Sequence, residues 1–310
     1  MKKLSIVLSL TTDDNDYQQE QGSAAQQAAR RLGVELQIIH AQNDSIVQSQ
    51  QLLNIIQSSG THPDAIMFEP VGGTGLPQVA RAATSAGIAW VVMNRDVDYI
   101  LDLRQRYKVP CFSITTDHEE VGRIQGQQLA SLLPQGGSVL QIQGPAESLA
   151  AKQRSAGMHE SKPENIQVKA LRAHWTEESS YKAVTSWLRL STAQEARMDV
   201  IAAQDDSMAI GARKAFQEHT TGSARDRWLS LPFIGCDGVP KTGQAWVHSG
   251  LLAATIVIPP VTGKAIDILV NAIRGGLVPP ERSLATPTSF PAIEQLSPYK
   301  AKSKAFGQTS

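Results

Sequence analysis

Two adjacent carboxylates, Asp205 and Asp206, stand where the apolar run Asp199-Val200-Ile201-Ala202-Ala203 gives way to a helical pattern. Acids so placed can act as general acid and base, coordinate a metal, hold a ligand or cap a helix. Neighbours on extended backbone point to opposite faces, so without a third group the pair makes a poor acid–base couple. Asp206, just before Ser207, reads as the N-cap, accepting the orphan N–H groups of the first turn. Asp205, one residue nearer the strand tip, reads as a ligand contact.

Other routes to chemistry are poorly supplied. The seven histidines show no i,i+4 pairing and no nearby cysteine pair, so no metal site is expected. Gly72-Gly73-Thr74-Gly75 lacks the Lys-Ser/Thr of a phosphate loop and does not follow the first strand, as a dinucleotide fingerprint should. It reads as a flexible loop. No Gly-x-Ser-x-Gly elbow occurs. We expect no catalytic residues, no metal and no cofactor. Cys111 and Cys236 end or follow apolar runs and read as buried free thiols.

The elements that must position these acids follow from the apolar pattern. Strand-like runs occupy 4–10, 34–41, 64–70, 88–94, 111–116, 138–144, 168–175, 198–204, 232–238 and 251–258. Between them lie helical spacings, clearest at 207–217 (Met208, Ala212, Ala215, Phe216) and 262–274 (Ala265, Leu269, Ala272, Ile273). Continuous apolar strands alternating with amphipathic helices predict an α/β protein with parallel sheets covered on both faces. A length of 310 residues suits about two domains. A weak repeat agrees: Thr11-Thr12-Asp13 with Gln21-Gly22 recurs as Thr115-Thr116-Asp117 with Gln125-Gly126. The repeat favours two similar halves, with Arg104–Pro110 as the crossover and the stretch from Thr286 as a loose C-terminal wrap.

Charge narrows the partners. Lys plus Arg and Asp plus Glu each number 29, which offers nothing to nucleic acid. No run approaches the ~18 apolar residues of a membrane span. The start MKKLSIVLSLTTDDND imitates a signal peptide, but Ser5 and Ser9 interrupt its short apolar run, and acids and amides stand where small residues should form a cleavage site. It reads as the first buried strand, with no visible export signal.

Ligands of doubly wound sheets sit outside the C-terminal ends of the strands. Those ends carry Thr11 to Tyr17, Glu69-Pro70, Asn94-Arg95-Asp96, Gly144 onward, Trp175, Gln204-Asp205-Asp206, Asp237 and Ile258. Carboxylates and amides share hydroxyl protons in bidentate fashion, arginine donates from a fixed fork, and an aromatic ring covers the C–H face of a sugar. The set suits a polyhydroxylated ligand.

Three motifs then carry a resemblance: Gln204-Asp205-Asp206-Ser207-Met208-Ala209-Ile210-Gly211-Ala212, Ile234-Gly235-Cys236-Asp237-Gly238 and Leu252-Ala253-Ala254-Thr255-Ile256. In this order the chain resembles, over nearly its whole length, the type I periplasmic sugar-binding proteins, on the ribose-binding-like branch. The resemblance implies two doubly wound α/β lobes joined by a three-strand hinge and closing over one sugar. It places the lobes at 1–110 plus 260–282 and at 111–259 plus 283–310. Carried over residue by residue, it assigns sugar contacts to Asn94, Arg95, Arg154, Trp175, Asp205 and Asp237, with Tyr17 or its neighbour Asn15 as a first-lobe wall. Arg154 is placed on the first turn of a helix. The chain departs from the family pattern at Asn94-Arg95 (usually Asp-Arg), at Asp205-Asp206 (usually Asn-Asp), at Ile258 near the third hinge, and at Glu69, an unusual strand-end carboxylate that we add to the contacts.

The function expected is that of a non-catalytic monomeric solute-binding protein for a monosaccharide or polyol. It would present its closed form to an ABC-type permease or a sensor, in the periplasm or cell envelope, without membrane insertion. A cytoplasmic ligand sensor built on the lactose-repressor-like core is the alternative. A repressor would begin with about 50–60 residues of basic helix-turn-helix, whereas here the first strand starts at Leu4.

Overall fold

The computed structural model describes residues 3–72, 75–194 and 196–299. Gly73 and Thr74 of the glycine-rich loop, and 300–310 of the C-terminal stretch, lie outside them. The chain divides into two compact units, Met1–Asp117 with Ile258–Pro287 and His118–Val257 with Thr288–Ser310.

The first unit is built on strands β1 (Ser5–Leu10), β2 (Glu35–His40), β3 (Ala65–Phe68), β4 (Ala89–Met93) and β5 (Cys111–Thr116). A late strand, Arg282–Ala285, pairs with β5 and completes a parallel sheet of order β2-β1-β3-β4-β5 plus that edge strand. Side chains alternate across it. Ile6, Leu8, Leu10, Ala65, Met67, Ala89 and Val91 face one core, shared with the helices Asp16–Leu32 and Thr262–Gly275. Val7, Ile66, Phe68, Trp90 and Val92 face the other, under the helices Ser45–Ile56, Pro77–Ser85 and Ile100–Arg106. Both faces are covered, so these strands read as unbroken apolar runs.

The second unit repeats the plan with β6 (Gly137–Gln143), β7 (Ile166–Arg172), β8 (Val200–Ala203) and β9 (Phe233–Ile234), in the parallel order β7-β6-β8-β9. Leu140, Ile142, Ile201, Ala203 and Phe233 face one core, with the helices Glu177–Leu188 and Asp206–His219. Val139, Val200, Ala202 and Ile234 face the other, with His118–Leu132 and Leu149–Ser161. Phe216 is fully buried and stacks on Trp228 at 4.4 Å; truncating such a side chain to alanine costs ~3–5 kcal/mol. A small antiparallel pair, β10 (Thr255–Val257) with Thr288–Phe290, lies beside this sheet through the bridges Ile234–Ala254 and Asp237–Val257.

The structure moves two expected boundaries. The first passage between units falls after Asp117, not at 110, because Cys111–Thr116 hydrogen-bonds to β4 and buries all six residues in the first sheet. The second copy of the weak repeat therefore begins on a first-unit strand. For the same reason Arg282–Ala285 belongs to the first unit, which extends to Pro287. The stretch after Thr286 is not all loose, since Thr288–Phe290 is a strand. Gln21 shows what its own copy of the repeat is for: its Oε1 accepts the N–H groups of Val261 and Thr262 at 3.1 and 3.2 Å, closing the start of the helix Thr262–Gly275. Cys111 and Cys236 are buried free thiols.

Candidate functional site

In both sheets the strand order reverses once, between β1 and β3 and between β6 and β8. That crevice is where ligands meet such sheets. Each unit has a polar cluster there.

In the first unit, Glu69 follows β3. Its Oε2 accepts Gln18 Nε2 at 2.8 Å and Asn94 Nδ2 at 2.9 Å. Asn94 Oδ1 in turn accepts the Tyr17 hydroxyl at 3.2 Å. Tyr17, Glu69, Asn94 and Arg95 are all half-buried. Burial pushes the Glu69 carboxyl above its usual range, while the two amide donors and then Arg95 act the other way. Asn15 serves as a helix cap. Its side chain accepts the Gln18 N–H at 2.9 Å and caps the helix Asp16–Leu32. Gln18, which sequence reasoning missed, is buried and spans Thr11 N–H and Glu69. Its only sequence signal is a place one turn into the first helix after a strand end.

In the second unit, Arg154 is the hub. It lies in the second turn of the helix Leu149–Ser161, not the first, and is only 7% exposed rather than solvated. Its guanidinium donates to the Gln204 carbonyl and to His118 Nδ1 (3.4 Å), sits 5.5 Å from the Trp175 ring and lies 4.0 Å from Asp237 Oδ1. Gln204 is itself fixed, accepting Gly144 N–H and donating to Ala151 O and Ser155 Oγ. A methyl group at Gly144 would fall 2.2 Å from Trp175 Cζ2, so only glycine lets the ring lie there.

The helix cap falls on Asp205, not on Asp206 as expected. Asp205 is the N-cap: its backbone is extended (φ −146°, ψ 166°) and its Oδ1 accepts the Met208 N–H at 2.5 Å. Asp206 is the first helical residue and turns inward. Its Oδ1 accepts Thr255 Oγ1 at 2.7 Å and its Oδ2 accepts Gly238 N–H at 2.8 Å. The helix begins one residue earlier than the pattern suggested, which shifts the cap by one and rotates the next side chain into the interior. Burial pushes the Asp205 carboxyl up to about 6, against the Met208 N–H and Arg154. Burial pushes Asp206 up to about 8, against Thr255 and Gly238 and with help from the Asp205 charge. Asp237 is also raised well above the usual range by burial, with Arg154 opposing. Among the described residues no hydrogen bond reaches the Asp237 carboxylate.

Backbone conformation marks the same residues. Asn94, Trp175 and Asp237 have φ of 57°, 60° and 106°. Left-handed backbone is uncommon outside glycine and clusters at sites where surrounding structure holds it. Among the described residues six non-glycine residues share this property, and half of them are residues whose side chains were assigned to ligand from sequence.

Among the described residues no cluster of three or more metal-ligating side chains occurs, and no helix is long and apolar enough to cross a membrane. The geometry provides fixed acceptors, one buried guanidinium and one ring, a set fitted to binding.

The chain is similar to known proteins over most of its length. The ribose import binding protein of Salmonella typhimurium is 26% identical over 278 residues, covering 89% of this chain and 86% of that protein. The solved periplasmic solute-binding protein of an ABC transporter from Actinobacillus succinogenes, with bound D-allose, superposes with a TM-score of 0.79 at 22% identity, covering 94% of this chain and 99% of the other. The Caulobacter myo-inositol binding protein, bound to myo-inositol, gives 0.75 at 20% identity, with 92% of each chain covered. The two structures establish the type I periplasmic-binding-protein fold. The periplasmic binding protein domain matches residues 6–277, and with two doubly wound units ending in polar clusters, this chain belongs to that family.

Proposed function

We propose that the protein is a solute-binding protein for a monosaccharide or related polyol, a carrier and not an enzyme. The observation that carries this reading is the pair of strand-end clusters, each at a topological switch point and each holding hydrogen-bonding side chains in fixed orientations. In the second unit Arg154 and Asp237 supply a rigid donor fork and an acceptor, and Trp175 supplies an apolar face for ring C–H groups. In the first, Tyr17, Glu69, Asn94 and Arg95 supply the partners for further hydroxyls. Asp205 keeps a second carboxylate oxygen beyond its cap bond, so capping and ligand contact are compatible. Asn15 supports the wall as a cap.

The relatives named above bind ribose, allose and myo-inositol by their own descriptions, which supports a ligand of that size and polarity. The same likeness supports an ABC-type sugar permease as the partner and the periplasm or cell envelope as the compartment; a monomer is the working form we propose.

The test is a thermal-shift screen against pentoses, hexoses and cyclitols, followed by calorimetry. At ~100 times the dissociation constant a ligand adds about 2.7 kcal/mol, or several degrees in melting temperature. A broad panel that leaves well-folded protein unshifted overturns the reading.

A further inference from the structure

The first-unit cluster has a donor–acceptor imbalance. An ionised carboxylate only accepts hydrogen bonds, so the group that Asn94 turns toward Glu69 must be its NH2. Gln18 likewise spends its NH2 on Glu69. Both amides land on the same oxygen, Oε2. Among the described residues no hydrogen bond reaches Glu69 Oε1. Asn94 Oδ1 holds only the Tyr17 hydroxyl, at 3.2 Å, and an amide oxygen has room for a second donor. What Glu69 and Asn94 offer a ligand is therefore acceptor oxygens, one of them formally charged, while the neighbouring Arg95 guanidinium has donors for hydroxyl lone pairs. Arg95 attracts Glu69 through space, but no ion pair or hydrogen bond joins the two among the described residues.

A hydroxyl meets such a site with one donor and brings lone pairs that also need donors. An ammonium brings three donors, no acceptor and a positive charge. Resting on the solute-binding reading above, we infer that the preferred ligand is an amino-substituted sugar or cyclitol. Its ammonium is held by Glu69 Oε1 with Asn94 Oδ1, and its hydroxyls by the remaining contacts. The raised affinity of Glu69 for protons is consistent with this, since a half-buried carboxylate lacking a direct ionic contact gains most from an opposite charge placed against it. Glu69 then determines specificity for the class of ligand, not for binding as such.

The experiment compares matched probes by calorimetry at neutral pH: D-glucosamine, D-galactosamine and 2-deoxystreptamine against D-glucose, D-galactose, myo-inositol and the N-acetyl forms of the two amino sugars. N-acetylation keeps the ring and removes the charge. The expected result is at least one amine binding tenfold or more tighter than its neutral and N-acetylated counterparts, with Glu69→Gln abolishing that preference at an unchanged melting temperature. If Glu69→Gln does not fold, the N-acetyl comparison on the unaltered protein decides. Neutral probes that match or outbind the amines overturn this inference and leave the solute-binding reading standing. If no probe of either class binds, this inference falls, and the broad panel described above decides the solute-binding reading.

Discussion

The backbone N–H of Gly238 donates to Asp206 Oδ2 at 2.8 Å, so the acid that opens one helix also fastens the turn presenting Asp237. The turn has no slack. Gly238 lies at φ 59°, and a Cβ there would sit 2.6 Å from Val257 Cα. Asp206 is thus a positioning residue buried behind the site, only 3% exposed.

Asp206→Ala should be the most damaging change among the three second-unit acids. It leaves the Gly238 N–H and the Thr255 hydroxyl without their partner, and each buried orphan costs about 1–3 kcal/mol. We expect a loss of about 2–5 kcal/mol in urea unfolding, with weakened binding as a secondary effect. A loss below 1 kcal/mol would show that the turn holds without this link.

Asp205→Ala should remove only a cap, costing about 0.5–2 kcal/mol. Asp205→Asn should keep most of that stability. If Asp205 also contacts the ligand, the Asn variant will lose affinity while melting normally, and calorimetry beside denaturant melts separates the two roles. Asp237→Ala should leave the fold intact and weaken binding more than tenfold, since a charge-assisted hydrogen bond contributes about 1.5–3 kcal/mol.

Gly144→Ala should act through Trp175. The added methyl, 2.2 Å from the ring, must displace the indole and with it the face that Arg154 lies over. Overpacking of this kind costs about 1–3 kcal/mol, and we expect binding to fall at least tenfold. Retained affinity would mean that the Trp175 ring is scaffold.

The pH dependence has a definite sign. Asp206 binds its proton more tightly in the folded protein, up to about 8, than in the unfolded chain, where an aspartate titrates near 3.9. Its contribution to stability is complete below about pH 4 and is lost as pH rises through about 8. Between pH 5 and 8.5, the unfolding free energy of the natural protein should therefore fall relative to Asp206→Asn, by at least about 1 kcal/mol. Comparing the two proteins cancels the titrating groups that do not sense the Asp206 charge, which leaves Asp206 and its neighbours Asp205 and Asp237 as the source of any difference. A difference that stays flat across the window would contradict the buried-acid account.

The alternation of buried strands and amphipathic helices was open to sequence reading because both faces of each sheet are covered, which leaves long apolar runs at every central strand. Arg282–Ala285 escaped for the converse reason. It is a short edge strand whose burial reads exposed, half-buried, exposed, buried, a pattern no different from a loop. The cap at Asp205 was misassigned to Asp206 because composition locates a helix start only to within a residue or two, while one residue decides which carboxylate meets the first turn and which turns inward. Gln18 was invisible because its importance lies in a partner 51 residues away, and the motif that contains Gly238 gave no sign of its bond to Asp206, 32 residues away. Glu69, Asn94, Trp175 and Asp237 were proposed from their places at strand ends together with the family resemblance, and Arg154 from the resemblance alone; their use by a ligand is what the experiments above address.

The left-handed backbone at Asn94, Trp175 and Asp237 also limits how this protein can be re-purposed. At most positions of a binding surface, evolution or an engineer can sample all the amino acids. At these three, β-branched replacements such as Val, Ile and Thr meet a steric penalty before any ligand is considered. Glycine relieves the backbone but surrenders the side chain. The accessible repertoire shrinks to Asn, Asp and a few others, so a change of specificity should enter more readily at Tyr17, Glu69 and Arg95, which carry no such restriction.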